Sequence, residues 1–137
     1  NEEEVVAEYS YFDTMGIQCA VRQYDSVRVK PGEKIRKDFR FEENSGIGGT
    51  IECPLWSRKV TFEVRNDVQD LFQPGSNQLV AKLETELNGV PYQIRYLSPG
   101  TCTVFASYED DEGETHHLPP KTVTLQPGKI ETVHIAN

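Results

Sequence analysis

Residues 60–64 read Val60-Thr61-Phe62-Glu63-Val64, and this stretch decides the fold class. Apolar and polar side chains alternate at every position. In an extended chain that puts Val60, Phe62 and Val64 on one face and Thr61 and Glu63 on the other. β-Branched and aromatic residues suit such a half-buried pleat. The same alternation recurs at Val27-Arg28-Val29, Phe39-Arg40-Phe41, Tyr92-Gln93-Ile94-Arg95-Tyr96, Val123-Thr124-Leu125 and Val133-His134-Ile135. Between these runs stand pairs that turn a chain sharply: Pro31-Gly32, Pro74-Gly75, Asn88-Gly89, Pro99-Gly100 and Pro127-Gly128. Many short strands separated by tight turns predict an all-β fold, an antiparallel sandwich.

One stretch has two readings. In Ser76–Leu87, Leu79, Val80, Leu83 and Leu87 lie at helical spacing, yet Leu79, Ala81, Leu83, Thr85 and Leu87 also alternate. Asn88-Gly89 is the favoured two-residue hairpin turn, and an alternating run follows it. The pattern predicts Lys82–Leu87 and Pro91–Leu97 as the two arms of a hairpin.

The chain has 137 residues and a formal charge of -8. An acidic protein of this kind is a poor partner for nucleic acid or an anionic membrane surface. No apolar run approaches the roughly 18 residues of a spanning helix, so no membrane insertion is expected. Three cysteines, Cys19, Cys53 and Cys102, are too widely spaced for a zinc motif. They read either as small buried residues on strands or as a Cys53–Cys102 disulfide with one thiol left over.

An internal echo sets the domain organisation. Val123-Thr124-Leu125-Gln126-Pro127-Gly128, followed by Val133-His134-Ile135, matches Val27-Arg28-Val29-Lys30-Pro31-Gly32, followed by Phe39-Arg40-Phe41. Upstream stand Cys102-Thr103-Val104 and Cys19-Ala20-Val21, and before them Tyr92-Gln93-Ile94 and Tyr9-Ser10-Tyr11. Residues 44–137 therefore read as one complete sandwich, and residues 1–43 as an N-terminal strand segment resembling the second half of a preceding similar domain. About 40 residues of strand cannot bury a core alone. Such a segment packs on its own sandwich, on a neighbouring domain or on a second molecule, which makes a homodimer through strand edges one expectation.

From Gly46 onward the motif order resembles the carboxypeptidase regulatory-like domain. Gly46-Ile47-Gly48-Gly49-Thr50-Ile51 is similar to that family's opening Gly-Thr-Val strand, and Asn88-Gly89-Val90-Pro91-Tyr92-Gln93-Ile94 to its Asn-Gly hairpin. Leu97-Ser98-Pro99-Gly100-Thr101-Cys102-Thr103-Val104 resembles its Leu-x-Pro-Gly-x-Tyr-x-Val signature, with Cys102 in place of the usual Tyr. The resemblance implies a transthyretin-like (prealbumin-like), Ig-like Greek-key sandwich. It also implies a non-catalytic accessory module of an exported bacterial protein. Such a module is extracellular, periplasmic or in the cell envelope, and its partners are other domains of the same parent or separate proteins. The fold carries no chemistry of its own.

Several residues are candidates for binding. Trp56, the single tryptophan, with Tyr92 and Tyr96 forms a possible stacking surface for a sugar ring or a peptide; the competing expectation puts Trp56 and Tyr92 in the core. The acidic run Glu109, Asp110, Asp111, Glu112, with Glu114 and His116 close behind, has the ligand types for calcium or, with His117 and His134, for a transition metal and a metal-dependent hydrolase. The plain alternative is a solvated charged turn. No spacing of the three histidines suggests a nucleophile–base–acid triad, so no catalytic residue and no resident cofactor is assigned. A Lys59–Asn137 isopeptide bond, with Glu84 or Glu86 assisting, is a further covalent option on sandwiches of this shape.

Overall fold

The computed structural model describes residues 2–13, 16–54, 59–66, 78–86 and 91–136. These form strands β1 (Glu2–Phe12), β2 (Gln18–Arg28), β3 (Gly46–Glu52), β4 (Val60–Asn66), β5 (Leu79–Thr85) and β6 (Pro91–Ile94). They continue with β7 (Gly100–Glu109), β8 (Thr115–His117), β9 (Lys121–Leu125), β10 (Ile130–Thr132) and β11 (Ile135–Ala136), and the described residues include no helix. The fold is all-β.

Two sheets enclose the core. The larger has the order β1-β2-β5-β4-β7, with β8 and β9 end to end along the far side of β7. Every pairing in it is antiparallel. β8 and β9 separate at Pro119-Pro120, whose missing N–H groups cannot continue a ladder. The smaller sheet is built on β3, with β6 antiparallel on one side and β10 and β11 parallel on the other.

The alternation at residues 60–64 becomes the burial pattern of β4: Val60, Phe62 and Val64 are buried, while Thr61 and Glu63 are half-buried on the outer face. Facing strands supply Cys19, Val21, Ala81, Leu83, Cys102, Val104, Ala106 and Leu125 from the larger sheet, and Ile47, Ile51, Tyr92, Ile94 and Ile135 from the smaller. Phe62 and Tyr92 meet across the layers with ring centroids 4.6 Å apart. Burying one such side chain stabilises the fold by about 1.5–3 kcal/mol.

Two glycines in β3 let the smaller sheet close. A Cβ at Gly46 would lie 1.9 Å from the Ile94 carbonyl oxygen, and one at Gly49 would lie 2.0 Å from the Val133 carbonyl oxygen. At that point β10 ends and β11 has not begun. The Val133 amide donates to Gly48 O at 2.8 Å, and the Val133 carbonyl accepts from the buried Tyr92 hydroxyl at 2.7 Å. The run expected to form one last strand through Val133–Ile135 is therefore interrupted at 133–134, because the carbonyl there turns to a side chain in the core instead of to a ladder.

The predicted hairpin of Lys82–Leu87 with Pro91–Leu97 is not formed. β5 pairs with β2 and β4, whereas β6 pairs with β3 in the other sheet. Each arm presents its apolar set to the shared core, Ala81 and Leu83 from one and Tyr92 and Ile94 from the other. Crossing between layers satisfies both faces at once. The Asn88-Gly89 turn itself lies outside the described residues.

The N-terminal segment packs on its own chain. β1 and β2 form an eleven-residue antiparallel pair, and Cys19–Val21 of β2 pair with Leu83–Ala81 of β5. Phe39-Arg40-Phe41, expected as a strand by the echo, is not one. It is part of a stretch that returns along the hairpin's inner face, held by the Gln23 amide donating to Arg40 O at 2.5 Å and by Lys37 Nζ on Asp25 at 2.5 Å. Side-chain anchors of this kind replace a backbone ladder, so alternation persists without strand pairing.

Candidate functional site

The hairpin meets the sandwich at an aromatic junction. Tyr9 and Tyr11 come from β1, Phe41 from the returning segment, and Arg95 and Tyr96 from the residues after β6. Tyr96 packs edge-on against Tyr9 (4.9 Å, 81°) and Tyr11 (5.1 Å, 73°), the arrangement that ring quadrupoles favour. The Arg95 guanidinium lies 5.6 Å from the Tyr11 centroid and 5.5 Å from that of Tyr96, within cation–π range, and is bonded to Glu43 at 3.0 Å. The Arg95 amide donates to the Tyr11 hydroxyl at 2.7 Å.

Tyr96 has φ 68°, a left-handed conformation that costs a side-chain-bearing residue of order 1 kcal/mol or more. The ring contacts to Tyr9 and Tyr11 explain why it is held there. Burial raises the Tyr11 phenol well above the ordinary tyrosine range, opposed in part by the Arg95 amide. Burial, followed by the charge of Asp13, pushes the Cys19 thiol up to about 11. Both groups are neutral at physiological pH.

β1 is the outermost strand of the larger sheet, and among the described residues no strand pairs its outer edge. Its outer face exposes Val6 and Phe12, and its inner face leaves Tyr9 partly open. Across the hairpin, Glu8 accepts from Arg22 at 2.7 Å, and Glu4 accepts from the Gln78 side-chain Nε2 at 3.0 Å. The run Glu2–Glu4 thus lies along a strand edge and not in a loose terminus.

A cleft of about 270 Å³ opens beside the hairpin, floored by Phe39, Val80, Leu97, Cys102 and Leu125. Its rim carries both signs of charge, from Arg22, Asp25, Asp38 and Arg40. Each of these is in an ion pair with a neighbour: Glu8, Lys37, Arg36 and Glu42 respectively. That leaves an apolar floor beneath a self-neutralised rim.

The 109–117 loop brings together part of the expected ligand set. Asp110, Glu114 and His116 place one ligand atom each within 4.8 Å of one another. Asp111 and Glu112 are exposed and Glu109 is half-buried, and none of the three joins the group. Glu114 belongs to the group in their place. Asp110 Oδ1 accepts from the Glu112 and Glu114 amides at 2.9 Å each, and Oδ2 meets His116 Nε2 at 2.8 Å. His116 and those amides hold the Asp110 carboxyl below the usual range. The His116 ring also stacks on Tyr108 at 5.1 Å. Asp110 is thereby the organising acceptor of a tight turn.

The other candidates lie apart. Tyr92 is buried at 4 % exposure with its hydroxyl bonded inside the core, so it offers no stacking face. Trp56 lies outside the described residues, as does Asn137. Lys59 is exposed and sits 3.7 Å from Glu84. Cys19 and Cys102 are buried thiols and Cys53 is a half-buried one, so the Cys53–Cys102 bridge is not formed. His134 is on an exposed edge, its Nδ1 3.3 Å from the Thr50 amide and 3.1 Å from its hydroxyl. The amide can only donate, which makes Nδ1 the acceptor and leaves the ring proton on Nε2.

Of the residues at the junction, sequence reasoning singled out Tyr96 alone as a surface group. It missed Arg95, Phe41 and Glu43. The usable signal was the apolar set Val5, Ala7, Tyr9 and Tyr11 on alternate positions directly after a Glu run. No protein-family model, no curated protein and no solved structure matches this chain.

Proposed function

We propose that the chain is a non-catalytic β-sandwich accessory module that spaces or docks other domains or proteins through its strand edges. The observation that carries this reading is β1: an eleven-residue outer strand whose far edge has no strand partner among the described residues and whose side chains leave large apolar surface exposed. A long edge of unpaired backbone groups is a template for another strand. The polar clusters support the same reading by being occupied internally. Asp110 and His116 serve a turn, and the rim charges of the cleft neutralise one another. The transthyretin-like character, and with it the placement in an exported bacterial protein, rests on the motif order of residues 46–137.

Hydrogen exchange read by mass spectrometry on peptides spanning residues 2–12 tests the reading. The outward amides of β1 exchange fast in the dilute isolated chain and slowly in the intact parent protein with its partners. Equal, fast exchange in both contexts would refute an edge-docking role.

A further inference from the structure

Three features of β1 converge. Of the five exposed large hydrophobics among the described residues, Val6, Tyr9 and Phe12 all belong to this strand; Ile35 and Phe105 are the others. The strand is long, and its outer backbone edge pairs with no described strand. Its charges are also unevenly placed, with Glu2, Glu3 and Glu4 at one end, Glu8 in the middle, and Ser10, Tyr11 and Phe12 at the other end.

That distribution discriminates between partners. A second copy pairing in parallel through the same edge would be turned over, setting the inner face of one sheet beside the outer face of the other and breaking the continuity of both faces. An antiparallel copy related by a two-fold axis normal to the sheet keeps each residue on its own face. Centred on Ala7, it uses the whole strand. The inner-face pairs are then Glu3 with Tyr11, Val5 with Tyr9, and Ala7 with Ala7. The outer-face pairs include Glu4 with Ser10 and Val6 with Glu8. No glutamate lies directly opposite another. The Val5–Tyr9 match, made twice, is the β-branched–aromatic pairing that sheets favour. Glu8 keeps Arg22 as its counter-charge within its own hairpin.

We infer that the partner of the β1 edge is a second copy of this chain, joined antiparallel about Ala7 so that the two larger sheets become one continuous sheet across a symmetric dimer. The inference rests on the edge-docking reading above and names its occupant. The interface is isologous, as two-fold closure requires, and it removes the open edge from both copies.

Light scattering on size-separated protein tests it. The wild-type chain, at about 100 µM, runs with twice the 15.5 kDa chain mass and dissociates on dilution. Ser10→Glu places a charge opposite the partner's Glu4, and at the same concentration it lowers the dimer population at least tenfold. Ser10 is exposed, so the variant folds, checked by an unchanged melting temperature at monomeric concentration. Adding Glu4→Lys to Ser10→Glu turns the clash into an ion pair and restores the dimer. A wild-type chain that stays monomeric at every concentration overturns the inference, as does a Ser10→Glu chain that dimerises like wild type. A monomeric chain whose β1 amides are nonetheless protected in the parent protein overturns self-pairing alone and points to a different strand on the same edge. Fast exchange there as well removes the docking reading itself.

Discussion

Gly49→Ala tests the packing argument most sharply, because its neighbour Gly48 supplies the control. An alanine Cβ at Gly49 would sit 2.0 Å from the Val133 oxygen and 2.7 Å from the Val133 carbonyl carbon. An uncrowded carbon–oxygen contact needs more than 3 Å, so the 133–134 segment must retreat by about an ångström. That retreat removes two hydrogen bonds: Val133 N to Gly48 O at 2.8 Å and Tyr92 Oη to Val133 O at 2.7 Å. At about 1 kcal/mol each, with about 1–2 kcal/mol more for stranding the buried Tyr92 hydroxyl, the loss is roughly 3–4 kcal/mol. At Gly48 the nearest atom to a new Cβ is the Ile130 Cγ2 methyl at 3.3 Å, on a side chain that can rotate away. Gly48→Ala should therefore lie within about 0.5 kcal/mol of wild type, helped by the lower chain entropy of alanine when unfolded. Urea unfolding followed by circular dichroism measures both. Gly49→Ala shifts the midpoint strongly with an unchanged slope, and Gly48→Ala hardly moves it. A Gly49→Ala protein as stable as wild type, or two variants equally damaged, would refute the close-approach reasoning.

Tyr92→Phe keeps the ring against Phe62 and removes only the hydroxyl that reaches Val133, so it should cost about 1–2 kcal/mol in urea unfolding and leave the rest of the core in place. In the native protein at pH 8, a thiol reagent should label half-buried Cys53 first, whereas Cys19, buried and with its thiol pushed up to about 11, reacts only after denaturant is added; equal labelling rates would contradict the burial pattern. Asp110 has a lowered folded pKa, so the stability it contributes is fully present above its unfolded pKa of about 4 and is lost as pH falls through the lower folded value. A carboxyl NMR titration should show Asp110 protonating below the ordinary aspartate range, and a His116→Ala variant should move that midpoint upward.

The candidate surface is partly legible in the sequence. Tyr96 was identified as a surface aromatic, but its companions are Tyr9, Tyr11 and Phe41, separated from it by more than fifty residues of chain. Aromatic type alone groups Trp56 and Tyr92 with it, yet Tyr92 turns inward. Its position opposite Gly49 in β3 places the ring over Phe62 and the hydroxyl at Val133. In the acidic loop, residue type alone nominated Glu109, Asp111 and Glu112. The same residue types include Asp110, Glu114 and His116, and turn geometry brings those three together, since Asp110 bonds the amide of Glu114 and the ring of His116.

What the sequence by itself determined was the strand state of the runs in β4, β6 and β9 and which side of each is buried. Alternation is a property of a single strand, because successive side chains leave opposite faces of the backbone whatever lies next to it. From Val60-Thr61-Phe62-Glu63-Val64 alone, the buried and outer positions of β4 follow. What only the tertiary structure decided was which strand pairs with which. β5 and β6 have the alternation and the intervening turn of a hairpin, yet they enter different sheets, and residues 1–28 join β5 to extend the larger one. Backbone hydrogen bonds are nearly the same between any two strands, so pairing is set by where the apolar faces can share one core. That is a non-local condition, met here by Phe62 against Tyr92 and by glycine at the two places where β3 must let another backbone pass.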